Sequence, residues 1–264
     1  MIIVKLIGGL GNQCFQYAVG RHLAELRQTE LKLDISEFEN YKLHNYTLGN
    51  FNIIEDFASP KEIAVARYIK ERHFHFDSQV FDVPDEVYLN GYWQSEKYFK
   101  DISEIIRKEI TVKRPLSGKN KEIFEEIDSC MSVSLHIRRT DYLNSDIHVS
   151  CDLEYYINSV KYFLDIEEKA HFFVFTDDKD WVRENFKLDC PFTVVEHNDS
   201  DKNYEDLRLM SFCRHNIIAN STFSWWGAWL NTNPSKLVLA PSKWFNDKAY
   251  SDSKDIIPAA WLKT

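Results

Sequence analysis

Apolar runs alternate with amphipathic segments in the second half of the chain. Five short apolar runs with polar flanks are typical of buried strands: residues 132–137, 171–176, 192–197, 216–220 and 236–241. The segments between them predict helices: residues 152–164, 179–186, 203–213 and 221–230. Such alternation indicates a parallel sheet that is covered on both faces. The second half therefore predicts an α/β domain.

The first half begins with the same pattern and then loses it. A strand, a helix and a second strand are predicted in order: residues 2–7, 13–28 and 30–35. Residues 36–85 are rich in Phe, Tyr, His and Asn but have weak periodicity. A further strand is predicted at 87–93, followed by a helix over 95–110.

A polar segment separates the two halves. Pro115, Ser117 and Gly118, together with the charged stretch GKNKE, predict a linker. We therefore expect two domains, residues 1–130 and 131–264, with the boundary near residue 130 to within about ten residues.

Composition and charge narrow the function classes. A chain of 264 residues with 44% hydrophobic residues can build two cores. A net charge of −9 and the absence of a Lys/Arg run argue against a nucleic-acid-binding protein. Five cysteines without C-x-x-C spacing predict reduced thiols rather than disulfides or a zinc site. The apolar run in MIIVKLIGG is too short for a signal peptide, so we expect a cytoplasmic location.

The glycine loop GGLGNQ lies between the first predicted strand and helix, and Asp34 ends the next strand. This is the layout of a dinucleotide-binding unit, but aligning Gly9 and Gly11 with G-x-G-x-x-G puts Cys14 at the third glycine. A side chain there would hinder close helix–strand packing. The loop can still admit a ligand to the backbone, with the Asn12 amide at a helix N-terminus. The alternatives are a tight turn capped by Asn12 and, less favoured, a nicotinamide or flavin enzyme.

The stretch VSLHIRRTDY places strong charge at the end of a predicted buried strand. Strand alternation sends His136 and Arg138 to one face and Arg139 to the other. Ligands of open α/β sheets bind beyond the carboxyl ends of strands, and a guanidinium suits phosphate oxygens at any working pH. We therefore expect a small anionic ligand here. The alternative is a structural ion pair, for instance Arg139 with Asp141.

Two further motifs follow predicted strands. In FTDD, we expect Asp177 in the site and Asp178 as a helix cap, without a metal because no third ligand has suitable spacing. In NSTFSWWGAWL, Ser221 and Thr222 at a helix N-terminus can bind an anion or simply cap the helix. Two of the three tryptophans in this helix are expected in the core: Trp225, Trp226 and Trp229 are the candidates.

GGLGNQ, HIRRTDY, FTDD and NSTFSWWGAWL, in this order and spacing, resemble the bacterial α-1,2-fucosyltransferases of glycosyltransferase family 11. The resemblance covers nearly the whole chain. It implies an α/β GT-B-like architecture with two Rossmann-like domains and parallel sheets, of which the N-terminal domain is on the acceptor side and the C-terminal domain binds GDP-fucose. It also implies an enzyme that transfers L-fucose from GDP-β-L-fucose, with inversion, to the 2-hydroxyl of a terminal β-galactoside.

The resemblance also implies roles for single residues. Arg138 and Arg139 would contact the donor pyrophosphate, and His136 would lie near the guanine or ribose. Ser221 and Thr222 would lie beside the phosphates. Asn12 would face the cleft from the other domain. The acceptor hydroxyl must lose a proton, and Asp141 is the nearest candidate in sequence, with acidic residues of the first half as alternatives. Fixed arginines and helix N–H groups can stabilise the departing phosphate, so we expect no metal and no other cofactor.

The expected partners are GDP-fucose and an oligosaccharide that ends in β-galactose, without nucleic acid. Peripheral association with the inner membrane through lipid-linked acceptors is left open. Two alternatives keep the same donor site: a fucosyltransferase of α-1,6 linkage on a chitin-type glucosamine, and a nucleotide- or carbohydrate-binding module without turnover.

Overall fold

The computed structural model describes residues 1–40, 43–140, 142, 150–245 and 253–264. The chain divides into two compact units. Unit 1 comprises Met1–Lys113 and a C-terminal segment that ends at Pro258, and unit 2 begins at Arg114 and includes Ala259–Thr264. Each unit carries its own parallel sheet.

Unit 1 is a small α/β unit built on four strands. Its described strands and α-helices are β1 (Ile2–Lys5), α1 (Leu10–Arg27), β2 (Leu31–Asp34), α2 (Pro60–Val65), β3 (Arg67–Lys70), β4 (Val87–Asn90) and α3 (Ser103–Glu109). All four strands are parallel, in the order β2-β1-β4-β3. From β1 the chain continues to its neighbour β2, and from β3 it continues to β4 on the other side of β1. The connections on the two sides of the β1–β4 pair therefore run to opposite edges of the sheet.

Helix α1 packs closely on the sheet at Gly20. A Cβ atom at Gly20 would lie 3.1 Å from Val4 Cγ1 and 3.0 Å from Leu31 Cδ1. The close approach that the dinucleotide motif assigns to its third glycine therefore occurs further along the helix. Cys14 is fully buried without preventing it, so the expected hindrance at this position was wrong.

Unit 2 contains a six-stranded parallel sheet. Its described elements are α4 (Gly118–Ser129), β5 (Met131–Ile137), α5 (Leu153–Ile166), β6 (Ala170–Thr176), α6 (Lys179–Asn185), β7 (Phe192–Val195), α7 (Asn203–Phe212), β8 (His215–Ile217), α8 (Thr222–Leu230), β9 (Val238–Ala240) and β10 (Leu262–Lys263). The strand order is β10-β9-β8-β5-β6-β7. The strand–helix alternation predicted for the second half is confirmed.

Both faces of this sheet are covered by helices. Val133 and Leu135 of β5 belong to a core cluster that includes α5 and α6 residues. Phe173 and Phe175 of β6 face the other way, into a cluster with α4 and α7 residues. This alternation has the period of two that buried strands require.

The three tryptophans of α8 are all buried, one more than expected: Trp225, Trp226 and Trp229.

The division of the chain falls at Lys113 and Arg114 rather than near residue 130. The expected linker GKNKE instead begins helix α4. Ile123 and Ile127, four residues apart, lie in one core cluster with Leu209 of α7. This apolar stripe packs α4 into the core of unit 2, and it begins after the polar residues GKNKE that indicated a linker.

Residues 36–85, for which the sequence predicted no element, contain α2 and β3. Neither has a clear apolar pattern, because α2 has no buried residue and β3 is a mostly exposed edge strand. Two expectations for the first half were wrong. The helix predicted over 95–110 forms only at α3, after two short 3₁₀ turns. The strand predicted at 87–93 ends at Asn90, and the backbone then turns through Trp93, whose φ is 56°.

In the described part of the chain, no helix is both long and apolar enough to cross a membrane.

Candidate functional site

The connections in unit 2 diverge between β5 and β8. Strand β5 pairs with β6 on one side and with β8 on the other. The chain continues from β5 to β6 and from β8 to β9, in opposite directions across the sheet. Open α/β sheets bind ligands in the crevice at such a point, beyond the carboxyl ends of the strands. Arg138 follows β5, and Ser221 lies four residues after the end of β8.

Arg138 is held from two sides. Its Nη1 lies 3.3 Å from Asp177 Oδ2, and its Cζ lies 5.5 Å from the centre of the Tyr142 ring. The Tyr142 hydroxyl donates to the Asn220 carbonyl over 3.2 Å. This bond joins the segment after β5 to the segment after β8. The Arg138 side chain is 21% exposed, so part of it still reaches solvent at the carboxyl end of β5.

The Asp177 carboxylate organises the segment that follows β5. Its Oδ1 accepts from the Arg139 backbone N–H over 2.9 Å. Its Oδ2 accepts from the Thr140 backbone N–H over 3.2 Å and from the Thr140 hydroxyl over 2.5 Å. Together with the Arg138 contact, these bonds occupy both carboxylate oxygens. Asp177 thus lies at the expected site, where it holds the loop, and its direct contact with a ligand stays a prediction.

The Arg139 side chain contacts other residues of unit 2 than Arg138 does. Its Nε lies 3.4 Å from Asp178 Oδ2, and its Cζ stacks 3.8 Å above the Trp181 ring. Asp178 Oδ1 also accepts from the Trp181 backbone N–H over 3.1 Å, which confirms Asp178 as the cap of α6. The geometry favours the structural alternative for Arg139, with Asp178 as a partner. The expected pair with Asp141 lies outside the described residues.

His136 is inside unit 2, only 3% exposed. Its ring lies 5.6 Å from that of Phe223 in the first turn of α8. Burial lowers the pKa of His136 to about 4, with Asp177 opposing the shift and Arg138 adding to it. The imidazole is therefore neutral near pH 7, and none of the described residues accepts or donates at its Nδ1. A role towards guanine or ribose stays a prediction.

The first turn of α8 has the properties of an anion site. Ser221 is its N-cap: the hydroxyl accepts from the Phe223 N–H over 3.4 Å, and the carbonyl accepts from Trp225 N–H. Capping by Ser221 is therefore confirmed. The N–H groups of the first turn and the helix dipole both favour negative charge. Thr222, half-buried at the first helical position, can add its hydroxyl.

Asn12 lies in the first turn of α1 in unit 1. The N-cap of α1 is Gly9 rather than Asn12, whose N–H donates to the Gly9 carbonyl. Its side-chain Oδ1 accepts from Gln94 Nε2 over 3.0 Å. The amide orientation that this bond selects leaves Nδ2 as the donor group of Asn12.

Asp34 does not have the setting expected for a dinucleotide enzyme. Its carboxylate accepts from the Tyr88 hydroxyl over 2.7 Å and from the Ser36 N–H over 3.0 Å. The residue is buried. Its carboxylate therefore serves the packing of unit 1, which disfavours the oxidoreductase alternative.

Two predictions remain without a structural counterpart. Asp141, the expected acceptor of the hydroxyl proton, lies outside the described residues. Within the described ranges, no group of three His, Cys, Asp or Glu side chains could hold a metal ion. A metal-independent reaction stays a prediction.

The full chain, residues 1–264, matches the model of Glycosyl transferase family 11. The chain belongs to this family. An α-1,2-colitosyltransferase of Escherichia coli is 34% identical, over 100% of this chain and 98% of the relative. The O-antigen biosynthesis glycosyltransferase WbnK of the same species is 31% identical, over 91% of this chain and 93% of the relative.

Solved structures support the fold of this family 11 glycosyltransferase. The α-1,6-fucosyltransferase NodZ, known from Bradyrhizobium, superimposes in a crystal soaked with GDP-fucose with a TM-score of 0.55 and 14% identity. The match covers 87% of this chain and 91% of that chain. The expected α/β GT-B-like class with parallel sheets is confirmed.

Sequence reasoning missed several polar residues of this glycosyltransferase. Tyr142 and Asn220 lie in the motifs HIRRTDY and NSTFSWWGAWL, but no pattern predicts their bond, because it joins positions 78 residues apart. Beyond β7, Asn198 donates to Asp206 over 2.7 Å and to Asn120 over 2.9 Å. Burial raises the pKa of Asp206 to about 7, against the bond from Asn198 and the charge of Lys179. In sequence, Asp206 looks like any solvated helix carboxylate.

Proposed function

We propose that this family 11 glycosyltransferase transfers L-fucose from GDP-β-L-fucose, with inversion, to the 2-hydroxyl of a terminal β-galactoside. The observation that carries the proposal is Arg138, fixed by Asp177 and Tyr142 where the connections of unit 2 diverge. The family match and the α-1,2 linkage in the name of the colitosyltransferase relative support the reaction class. The motifs that resemble α-1,2-fucosyltransferases support the donor sugar.

The main demand of the reaction is stabilisation of the leaving group. The bond from C1 of the sugar to the β-phosphate oxygen breaks, negative charge grows on the diphosphate, and C1 becomes oxocarbenium-like. Preorganised donors aimed at that charge lower the barrier, and loss of one typically costs about 3–4 kcal/mol. Arg138 and the N–H groups at the start of α8 are such donors. Because guanidinium stays charged throughout the working pH range, its contribution does not titrate.

The acceptor hydroxyl attacks C1 and gives up its proton. His136 is poorly suited to take it, since the ring is buried and has a low proton affinity. Asp141 stays the proposed base. Arg139 braces the loop, whereas Ser221 presents the first turn of α8 to the phosphates.

A second candidate has the same leaving group and linkage but a different sugar. Colitose is 3-deoxy-L-fucose, so the two donors differ by one hydroxyl. The colitosyltransferase relative matches this chain over its entire length. A site that hydrogen-bonds the 3-hydroxyl would reject colitose strongly, whereas an apolar site would discriminate weakly between the two.

A donor-by-acceptor panel tests both candidates. GDP-fucose, GDP-colitose, GDP-mannose and UDP-sugars are each offered with lactose, N-acetyllactosamine or lacto-N-biose, with and without EDTA. We expect transfer from GDP-fucose to the galactose 2-hydroxyl, located by NMR of the product and unchanged by EDTA. Preference for GDP-colitose would establish the second candidate. An α-1,6 product, a need for divalent metal, or GDP binding without turnover would each contradict the proposal.

A further inference from the structure

Glu71 is a half-buried carboxylate of unit 1 to which no motif points. It is the first residue after β3, and its Oε2 accepts from the Tyr92 backbone N–H over 2.7 Å. Its Oε1 accepts from the Trp93 backbone N–H over 2.8 Å. Both donors belong to the turn that follows β4, the neighbouring parallel strand. One side chain thus ties two strand ends together.

The turn held by Glu71 is strained. Trp93 has a φ of 56°, in the left-handed region that an aromatic residue rarely adopts. Its side chain is 3% exposed, and none of the described residues accepts from its indole Nε1. Strain of this kind persists only where the surroundings enforce it, and it concentrates at functional sites. The two hydrogen bonds from Tyr92 and Trp93 to Glu71 hold the backbone in this conformation.

The strained turn is connected to the glycine loop. Gln16 Nε2 donates to the Gly91 carbonyl over 3.1 Å, at the start of the turn. Gln94 Nε2, at its end, donates to Asn12 Oδ1 over 3.0 Å. A change in the backbone at Trp93 would therefore move Gln94 and release the Asn12 amide.

Unit 2 contains the same arrangement. Asp177 is the first residue after β6, and its carboxylate accepts from the second and third residues after β5, Arg139 and Thr140. Glu71 is the first residue after β3, and it accepts from the second and third residues after β4. We call this arrangement a carboxylate clasp. In unit 2 the clasped segment carries Arg138.

We propose that Glu71 is a positioning residue for sugar transfer: its clasp holds the turn after β4, and through Gln94 the amide of Asn12, in the form that receives the acceptor. The inference rests on the proposed function, and Glu71 itself touches no reacting atom. Asn12, with Nδ2 as its donor, can bind a hydroxyl of a neutral saccharide.

The clasp requires the ionised carboxylate. Protonation would set an O–H donor against one of the two N–H donors and break that bond. Burial raises the pKa of Glu71 to about 7, against the lowering effect of the two N–H bonds. No described cation forms an ion pair with Glu71. Charged and titratable neighbours include the Tyr98 hydroxyl and side chains that share with Glu71 the lining of a 380 Å³ cavity: Arg67, Lys70, Arg72, His73, Asp77 and Asp82.

The test compares Glu71→Gln with Glu39→Gln, an exposed control in the same unit. Loss of a hydrogen bond to a charged group should lower kcat/KM for the acceptor about tenfold in Glu71→Gln, with GDP affinity unchanged. The wild type should lose activity as pH falls through about 7, and Glu71→Gln should lack this step. Hydrogen exchange of the Tyr92 and Trp93 amides should accelerate in Glu71→Gln alone.

Wild-type kcat/KM in Glu71→Gln, or an equal loss of GDP affinity, would overturn the proposal. If Glu71→Gln does not fold, Glu71→Asp decides: partial activity with a retained pH step supports the clasp, and wild-type activity without the step overturns it. Amide exchange needs no substrate. A donor panel without transfer would therefore reject the proposed function, whereas unchanged exchange at Tyr92 and Trp93 would reject the clasp.

Discussion

The two carboxylate clasps share a backbone pattern and differ in their charge. In unit 2, Asp177 also receives Arg138 Nη1 and the Thr140 hydroxyl. In unit 1, the interactions described for Glu71 are with backbone N–H groups alone. The same device therefore has two uses. With a cation it builds a fixed positive group, and without one it holds a strained turn.

This difference bears on the ligands of each unit. The edge of the unit 2 sheet combines Arg138 with the N–H groups of α8, which suits a diphosphate. The corresponding edge of unit 1 offers the amides of Asn12 and Gln94, which suit neutral hydroxyl groups. The proposed division into donor phosphate and acceptor sugar agrees with this contrast.

The largest effect is expected from removal of Arg138, the cation of the unit 2 clasp. Arg138→Ala should lower kcat by about 100- to 1,000-fold, because one donor to the developing phosphate charge is lost. Circular dichroism should show an unchanged fold. Arg183→Ala, which removes an exposed arginine of unit 2, is the control. Activity within about threefold of wild type in Arg138→Ala would reject the role of this guanidinium.

Removal of the charge from the unit 2 clasp should have the next largest effect. Asp177→Asn keeps the shape but weakens the bonds to Arg138, Arg139 and Thr140, so GDP affinity should fall about tenfold or more. Isothermal titration calorimetry with GDP measures it. Asp180→Asn, at an exposed carboxylate of α6, should bind GDP like the wild type. Equal affinities in the two variants would show that the clasp does not position Arg138.

The titration of Glu71 should appear in the pH dependence of stability. The folded pKa of Glu71 lies above its unfolded value of about 4.5, so the stability that comes from protonation of its buried carboxyl group is complete below pH 4.5 and is lost as pH rises through about 7. Between these limits, Tm of the wild type should therefore fall more steeply than Tm of Glu71→Gln. Differential scanning fluorimetry from pH 5 to about 8 measures both slopes. Parallel slopes would show that Glu71 does not titrate in this range.

The smallest expected effect concerns Arg139. Arg139→Ala should destabilise the fold by about 1 kcal/mol, through loss of the stacking on Trp181 and the ion pair with Asp178. Urea denaturation measures this change. GDP affinity should stay close to wild type, whereas a large loss would return Arg139 to the phosphate site.

The sequence determined the parts of this protein that depend on local pattern. Short, mostly apolar runs located β5 and β6, because a strand that is covered on both faces buries nearly all of its side chains. The same pattern predicted that Arg138, Asp177 and Asp178, which follow these strands, lie together, since the carboxyl ends of parallel strands share one edge of the sheet. The family resemblance added the reaction class, which no single pattern contains.

Only the tertiary structure decided which of these groups act together. The bonds from Tyr92 and Trp93 to Glu71 span 21 and 22 residues, and those from Arg139 and Thr140 to Asp177 span 38 and 37. No local pattern encodes such pairs, because parallel strands bring their ends together only after a crossover has formed. The separate partners of Arg138 and Arg139, the strain at Trp93 and the half-buried carboxylate of Glu71 all follow from that assembly.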